Sequence, residues 1–177
     1  MELKNLSKPL EIQDIDFRVQ SINKGGYATI LAYKDARVDI KRLNEVCGVL
    51  GWKREHTRDN KNCIVSVWDQ ENKHWVSKED TGTESMADSQ KGLASDSFKR
   101  ACFNLGIGIE LYDYPVIQIK LNKDEFKIEN QRVKQTYNLK LREWKWYSEF
   151  DNNKLIGLAC RDNKGDVRFK YGKFTKK

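Results

Sequence analysis

Basic side chains recur at a regular spacing in one predicted helix, where they could bind phosphate groups. Lys91, Ser95 and Lys99 are each four residues apart, and Arg100 follows directly. Residues four apart lie on the same face of an α-helix, so the segment presents a Lys-Ser-Lys-Arg face. Sequence-independent binding of a single strand requires cations for the phosphates and planar groups for the bases. This face is the first candidate for a nucleic-acid contact.

The chain as a whole is basic, which favours a polyanionic partner. It has 33 Lys and Arg against 26 Asp and Glu, a net charge of +7, and an excess of this kind is typical of nucleic-acid-binding proteins. Some of these cations are expected to be solvated side chains with no ligand. The candidates for a phosphate-binding groove are Arg37, Lys41, Arg42, Lys53, Arg54, Lys91, Lys99 and Arg100.

A Glu-x-Lys triplet, which occurs in metal-dependent nucleases, is present three times. The triplets are Glu71–Lys73, Glu125–Lys127 and Glu143–Lys145. In such enzymes, clustered carboxylates hold the metal ions that assist hydrolysis. Charged residues make up 33% of this chain, so triplets of this type arise by chance, and the first falls in a predicted turn. A metal-dependent nuclease is therefore kept as an alternative.

Other catalytic chemistry finds little support in the residue pattern. The chain has no GxxxxGK[ST] phosphate loop, which argues against nucleotide hydrolysis. Its four cysteines are widely separated and form no CxxC pair, so we expect buried thiols and no zinc. We predict no catalytic residue, no cofactor and no enzymatic activity.

From the amino terminus and the hydropathy pattern we expect a cytosolic protein. Residues 1–16 lack the apolar run of a signal peptide, and no segment reaches the ~18 apolar residues of a membrane span. A chain of 177 residues can form one domain with a substantial core, with room for a small appended lobe.

The first third of the chain predicts a hairpin followed by a helix. Apolar residues between Ile15 and Tyr33 suggest extended segments, with the turn at Gly25 and Gly26. Asp35 is a suitable N-cap for a helix, and Gly51 is predicted to lie just past its end. The apolar face of this helix is predicted to contain Ile40, Leu43, Val46, Cys47 and Leu50.

The middle and the end of the chain predict strands on both sides of a second helix. Three strands are expected at residues 52–58, 62–68 and 74–80, followed by a loop over 81–89. The helix should run from a Ser89 cap to Leu105 and end at Gly106. Its predicted apolar stripe contains Ala94, Phe98, Ala101 and Leu105. Beyond Pro115 the pattern favours a loop or hairpin over 122–138 and a terminal β-meander.

Three segments in a consistent order resemble one family. Residues 91–115, KGLASDSFKRACFNLGIGIELYDYP, resemble the signature helix of the Rad-fifty-two/DdrA superfamily of single-strand annealing proteins. Residues 35–56, DARVDIKRLNEVCGVLGWKREH, are similar to its Arg-Val helix ending in Gly-Trp. Residues 63–82, CIVSVWDQENKHWVSKEDTG, are similar to its strand, turn and strand. The resemblance covers about residues 27–114.

The resemblance implies an α+β fold with a β-β-β-α core, in which an antiparallel sheet packs on helices, and the C-terminal meander is added to it. We expect the core at 1–114, with an arm at 1–14, and a β-rich extension at 115–177 that packs on or continues the core. The resemblance also implies which residues contact DNA. Lys99 and Arg100 match the family's Lys-Arg pair, and Arg37 matches the arginine at the start of its first helix. Lys91 matches a further basic helix position, and Lys73 matches a hairpin lysine that binds duplex. Lys53 and Arg54 are added from the charge pattern.

The expected function is ATP-independent binding of single-stranded DNA and annealing of complementary strands in recombination and repair. The expected partners are single-stranded DNA, the annealed duplex intermediate, further copies of the chain in a ring or helical filament, and a single-strand-binding protein or exonuclease. No contact with a membrane is expected. The short chain resembles a bacteriophage or prophage member, for which the cytosol would be that of the bacterial host and the nuclease alternative would belong to phage DNA metabolism. Phe103 stands where eukaryotic members often carry arginine. An RNA-binding or architectural protein is the second alternative.

Overall fold

The computed structural model describes residues 2–83 and 89–174, with side chains in the second helix from residue 92 onward. The helices are α1 (Ala36–Cys47) and α2 (Ser89–Phe103). The strands are β1 (Asp16–Ile22), β2 (Tyr27–Tyr33), β3 (Trp52–Thr57), β4 (Asn62–Asp69), β5 (His74–Thr81), β6 (Ile117–Lys120), β7 (Phe126–Glu129), β8 (Arg132–Gln135), β9 (Lys145–Asp151), β10 (Lys154–Arg161) and β11 (Val167–Gly172). Two helices and several antiparallel sheets confirm the predicted α+β class.

The described residues form two compact units that do not follow chain order. Unit 1 comprises the described residues of Met1–Leu10 and Lys34–Ile109, and unit 2 those of Glu11–Tyr33 and Glu110–Lys177. The predicted division into 1–114 and 115–177 stays a prediction. Strand β2 pairs with β1 on one side and with β6 on the other, in one antiparallel sheet of unit 2.

Unit 1 contains the predicted β-β-β-α arrangement. Strands β3, β4 and β5 form an antiparallel sheet in sequence order, and α2 packs against β4 and β5. Alternation along β4 directs Cys63, Val65 and Val67 to one face, and all three are buried. Phe98 and Cys102 of α2 are fully buried as well, so this core holds the helix on the sheet.

Helix α1 begins where the sequence predicts and ends earlier. The Asp35 carboxylate accepts a hydrogen bond from the backbone N–H of Arg37 (2.7 Å), which confirms the N-cap. The predicted end near Gly51 is wrong, because the helix stops at Cys47 and Gly48 follows with φ 74°. Leu50, predicted on the apolar face, is 94% exposed.

Helix α2 also differs from its prediction at its end and in its buried stripe. It stops at Phe103, two residues before the predicted Leu105. Its buried residues are Leu93, Ser97, Phe98, Ala101 and Cys102, whereas Ala94 and Leu105 are only partly buried. The described part of α2 begins at Ser89, next to residues outside the described range, and the Ser89 cap stays a prediction. The loop predicted over 81–89 lies largely outside the described residues, at 84–88.

Unit 2 contains the predicted terminal meander and a hairpin before it. Strands β9, β10 and β11 form an antiparallel sheet, and Asn152 and Asn153 make the first turn with φ of 48° and 64°. Asn tolerates this left-handed conformation better than most residues. The predicted loop or hairpin over 122–138 contains β7 and β8.

An Arg-centred network supports unit 2. The buried Arg168 guanidinium donates hydrogen bonds to Glu125 (2.7 and 3.0 Å) and Asp162 (3.1 Å). It therefore joins the meander to the segment after β6. No helix among the described residues is long and apolar enough to cross a membrane.

Candidate nucleic-acid interface

The β3–β4–β5 sheet separates the predicted basic residues onto two faces. Side chains alternate along a strand, so Arg54 lies on the face of β3 that also carries Trp52 and His56, and Lys53 lies on the opposite face. Arg54 is paired with Val65 of β4, whose side chain is buried beneath α2. Arg54 therefore shares the helix-covered face of the sheet, and Lys53 does not.

Arg54 is held at the rim of this core by an aromatic ring. Its guanidinium carbon lies 4.8 Å from the centroid of the Phe98 ring, a geometry in which the cation is attracted to the ring face. Burial, and then the neighbouring Arg54 cation, lower the pKa of His56. This imidazole is neutral at pH 7 and adds no charge to the interface.

Arg100 is fixed by a carboxylate from the sheet. Its Nε donates to Asp80 Oδ1 (3.2 Å), and Asn104 Nδ2 donates to the other oxygen of Asp80 (3.2 Å). The side chain of Arg100 remains 41% exposed, so part of its guanidinium still faces solvent. The structure pairs Arg100 with Asp80 rather than with Asp96, which lies four residues before it in α2.

Lys99 occupies the neighbouring position of α2 and has its own acidic neighbour. Its Nζ lies 3.9 Å from Asp96 Oδ1, while the other oxygen of Asp96 accepts hydrogen bonds from the backbone and hydroxyl of Thr83 (2.9 and 3.2 Å). A partly exposed pair at this distance is weak. Lys99 can therefore leave the Asp96 carboxylate and bind a phosphate in its place.

A buried lysine joins the start of α1 to the end of α2. Lys34 Nζ forms an ion pair with Asp39 of α1 and donates to the backbone carbonyl of Lys99 in α2 (3.3 Å). It also lies 4.1 Å from the centroid of the Phe103 ring. Burial lowers the pKa of Lys34 and raises the pKa of Asp39 to about 6, and the attraction between the two opposes both shifts.

Through Lys34, this pair links the first turn of α1, which carries Arg37, to the backbone of Lys99 in α2. Arg37 lies two residues before Asp39 in the first turn of α1. Its side chain is 92% exposed, with Nε 3.9 Å from Asp35 Oδ1. Sequence reasoning missed Lys34 and Asp39, although a Lys immediately before a helix cap and an Asp inside an apolar helix face were visible signals.

The other predicted basic residues have different surroundings. Lys53 Nζ lies 4.7 Å from the ring centroid of Trp75 on the far face of the sheet. Lys73 is exposed at the β4–β5 turn with φ 53°. The backbone of Lys91 is in α2, but its side chain lies outside the described residues.

Arg42, a groove candidate from the sequence, has a structural role. Its guanidinium donates to four backbone carbonyls, of Asn5 (3.2 Å), Leu6 (3.3 Å), Lys8 (2.6 Å) and Pro9 (3.3 Å). These carbonyls lie at or just beyond the carboxyl-terminal end of a short 3-10 helix, Leu3–Ser7, where a cation is favoured. Arg42 holds the amino-terminal segment against α1, so it is not a candidate phosphate ligand.

The amino-terminal part of the chain is similar to a known protein family. Residues 2–74 match the model of the Rad52/22 family of double-strand break repair proteins. The predicted resemblance to the Rad52-like superfamily is confirmed over this stretch. No curated protein matches the chain significantly.

The Rad52-like stretch covers only part of the candidate interface. It contains Arg37, Lys53, Arg54 and Lys73, and it ends before α2. The assignment of Lys99 and Arg100 therefore depends on the motif in residues 91–115 and on the contacts of those two side chains. The bacteriophage or prophage type stays an expectation.

The nuclease alternative has a definite structural requirement. Metal-assisted cleavage requires several carboxylate or imidazole ligands around one point. Among the described residues, no group of three or more His, Cys, Asp or Glu side chains is arranged to hold a metal ion. Within the Glu-x-Lys triplets, Glu125 is bound to Arg168 and Glu143 accepts a hydrogen bond from Asn163 (2.8 Å).

Proposed function

We propose that the chain binds single-stranded DNA and anneals complementary strands in DNA recombination and repair, without ATP and as an oligomer. The similarity of residues 2–74 to double-strand break repair proteins supports the process. The observation that carries the binding site is the arrangement of Lys99 and Arg100. Each is anchored by one carboxylate, and Arg100 keeps 41% of its side chain exposed.

The anchored cations can exchange partners at low cost. A surface ion pair contributes about 0–1 kcal/mol, so replacing a carboxylate by a phosphate sacrifices little, and release of counterions from the DNA favours binding. Arg37, which is 92% exposed, supplies a further cation from the helix turn that the buried Lys34–Asp39 pair connects to Lys99. Lys91, Arg54, Lys53 and Lys73 are assigned to the same DNA-binding role, with Lys73 reserved for duplex.

Annealing by this route involves no covalent step. A row of subunits neutralises the phosphates of one strand and leaves its bases outward, so that a complementary strand can pair with them. Base pairing then supplies the free energy, and neither nucleotide hydrolysis nor a cofactor takes part. The same proposal includes assembly into a ring or helical filament, a cytosolic location, and a single-strand-binding protein or exonuclease as partner.

The binding test is a double substitution in α2. Each phosphate contact on a single strand contributes about 0.7 to the slope of log K against log salt. The Lys99→Ala/Arg100→Ala variant should lose about 1.4 of this slope, equivalent to about 25-fold in affinity at 0.1 M salt. Fluorescence anisotropy with labelled oligo-dT measures both quantities. A Lys154→Ala/Lys164→Ala variant, with the same loss of charge at two exposed positions of unit 2, should retain most of the affinity.

Annealing, assembly and the alternatives need separate measurements. Annealing is followed by energy transfer between complementary labelled strands, and assembly by electron microscopy with and without single-stranded DNA. Equal affinity of wild type and double variant would contradict the assigned site, and a strictly monomeric protein in the presence of complementary strands would contradict the mechanism. Shortening of a labelled strand with Mg²⁺ would favour the nuclease, and preferential competition by RNA would favour an RNA-binding protein.

A further inference from the structure

Unit 2 carries two adjoining grooves beside the edge strand β1. One, of about 440 Å³, is lined by Arg18 of β1 and by the segment from Gln135 to Glu143. The other, of about 500 Å³, runs along Asp16 and Trp144 to Tyr147. The two share Phe17, Leu141 and Arg142, so together they form one path, here called the β1 groove.

Positive charge dominates the β1 groove. Its lining contains four cations, Arg18, Lys140, Arg142 and Lys145, and two carboxylates, Asp16 and Glu143. Glu143 already accepts a hydrogen bond from Asn163 Nδ2 (2.8 Å). Within the described residues no carboxylate forms a salt bridge with any of the four cations. A concave surface with this excess of unpaired positive charge attracts an anionic ligand.

Aromatic rings are interleaved with these cations. Tyr137 is 85% exposed, and Lys140 Nζ lies 3.3 Å from its ring centroid. Tyr147, 44% exposed, lines the second groove, and the Arg18 guanidinium lies 5.3 Å from the Tyr33 ring. Large exposed aromatic side chains beside cations are a combination on which unstacked bases can lie while their phosphates are neutralised.

A stacked aromatic pair lines the same path. Trp146 stacks face to face on Phe17, with ring centroids 3.6 Å apart, and its side chain lines the second groove. The indole Nε1 is buried and has no hydrogen-bond acceptor among the described residues. The ring pair bounds the groove, and the buried indole N–H is not exposed to a ligand there.

We propose that the β1 groove is a second binding site for single-stranded nucleic acid, separate from the site assigned to unit 1. The cations of the groove hold two or three phosphates, and Tyr137 and Tyr147 stack on bases. A single strand fits better than a duplex, because the faces of duplex bases are covered by their neighbours and cannot reach a tyrosine ring. The site consists entirely of unit 2 residues and does not depend on Lys99 or Arg100.

Photocrosslinking locates the bound strand directly. A single strand carrying 5-iodouracil is irradiated with the full chain, and the adducts are mapped by mass spectrometry. Adducts are expected on Tyr137 or Tyr147, and they should persist in the Lys99→Ala/Arg100→Ala variant. Failure of the unit 1 site would therefore leave this result intact. Absence of adducts from both tyrosines, or equal competition by duplex, would overturn the proposal.

Affinity measurements test the charge. In the Lys99→Ala/Arg100→Ala background, the Arg18→Gln/Lys140→Gln/Arg142→Gln variant removes three cations. The slope of log K against log salt should then decrease by about 2, since each phosphate contact contributes about 0.7. The matched control is Lys24→Gln/Lys154→Gln/Lys164→Gln, which removes the same charge at exposed positions that do not line the groove. Equal slopes for the two triple variants would refute the site.

Tyrosine variants separate stacking from charge. Tyr137→Ala should weaken binding by about 5- to 160-fold, since stacking on an aromatic side chain contributes about 1–3 kcal/mol per base. Tyr137→Phe should bind like the parent. Tyr171→Ala, at another exposed tyrosine that lines neither groove, serves as the control. An unchanged affinity of Tyr137→Ala would overturn the assignment. So would an Arg18→Gln/Lys140→Gln/Arg142→Gln variant that loses self-association but keeps its affinity for the strand.

Discussion

The buried Lys34–Asp39 pair offers the sharpest test of how unit 1 is held together. Lys34→Met keeps most of the aliphatic volume and removes the charge that faces Asp39. Both side chains are almost completely buried, at 1% and 0% exposure. Breaking a buried ion pair by removing one partner typically costs about 3–5 kcal/mol, because the remaining charge stays buried and unpaired.

The chemistry of Asp39 gives an independent value for this cost. Burial raises the pKa of Asp39 to about 6 even with Lys34 beside it, so without Lys34 the carboxyl group should be protonated in the folded state at pH 7. Protonating an ordinary carboxyl of pKa 3.8 at pH 7 costs about 4 kcal/mol, at 1.36 kcal/mol per pH unit. At pH 5 the same step costs about 2 kcal/mol. The two routes to the pH 7 value agree.

The direction of the pH dependence follows from linkage. The folded-state pKa of Asp39 lies above its unfolded value, so the folded state binds the proton more tightly and stability falls as pH rises between the two values. From pH 7 to pH 5 the free energy of unfolding of Lys34→Met should rise by about 2.7 kcal/mol, at 1.36 kcal/mol per pH unit. Wild type, in which Asp39 has a pKa of about 6, should gain about 1.3 kcal/mol over the same range. The deficit of Lys34→Met relative to wild type should therefore shrink by about 1–1.5 kcal/mol. Urea denaturation followed by tryptophan fluorescence at both pH values measures it.

Two further variants complete this experiment. Lys34→Met/Asp39→Leu removes both charges and should return to within about 1–2 kcal/mol of wild type at both pH values, since hydrophobic replacement of a buried pair is often neutral. Lys78→Met, at an exposed lysine of β5, should change stability by less than about 0.5 kcal/mol. A single Lys34→Met variant as stable as wild type at pH 7, or one equally destabilised at pH 5, would refute the reasoning.

Two other predictions concern arginines with structural partners. Arg42→Met loses its hydrogen bonds to four backbone carbonyls and should destabilise the protein by about 2–3 kcal/mol in urea denaturation. Its affinity for oligo-dT should fall less than that of the Lys99→Ala/Arg100→Ala variant. Unchanged stability with a larger loss of affinity would make Arg42 a DNA ligand. Arg168→Met leaves two buried carboxylates unpaired and should cost about 3–5 kcal/mol at pH 7. Contacts with Arg168 hold the pKa of Glu125 below its usual value against the opposing effect of burial, and this stabilisation is lost as pH falls through the folded-state pKa. The difference between Arg168→Met and wild type should therefore shrink towards pH 3, and a constant difference would contradict this account.

Much of the local structure follows from neighbouring residues in the sequence. Asp35 caps α1 because its side chain reaches an amide two residues away, and the alternating apolar residues of β4, Cys63, Val65 and Val67, are all buried. The Asn152–Asn153 turn is set by residues that tolerate positive φ. Features of this kind depend on contacts within a few residues, so a single chain is sufficient to predict them. The same alternation could have shown that Lys53 and Arg54 lie on opposite faces of the sheet.

Only the tertiary structure decided which distant groups meet. Arg100 binds Asp80 of β5, and the near neighbour Asp96 approaches Lys99 instead. Lys34 contacts the backbone of Lys99, 65 residues away along the chain. These pairings depend on how α2 lies on the sheet and on which side chains lose their water in that packing. That is the physical reason why the sequence indicated the basic residues of α2 but not the carboxylates that hold them.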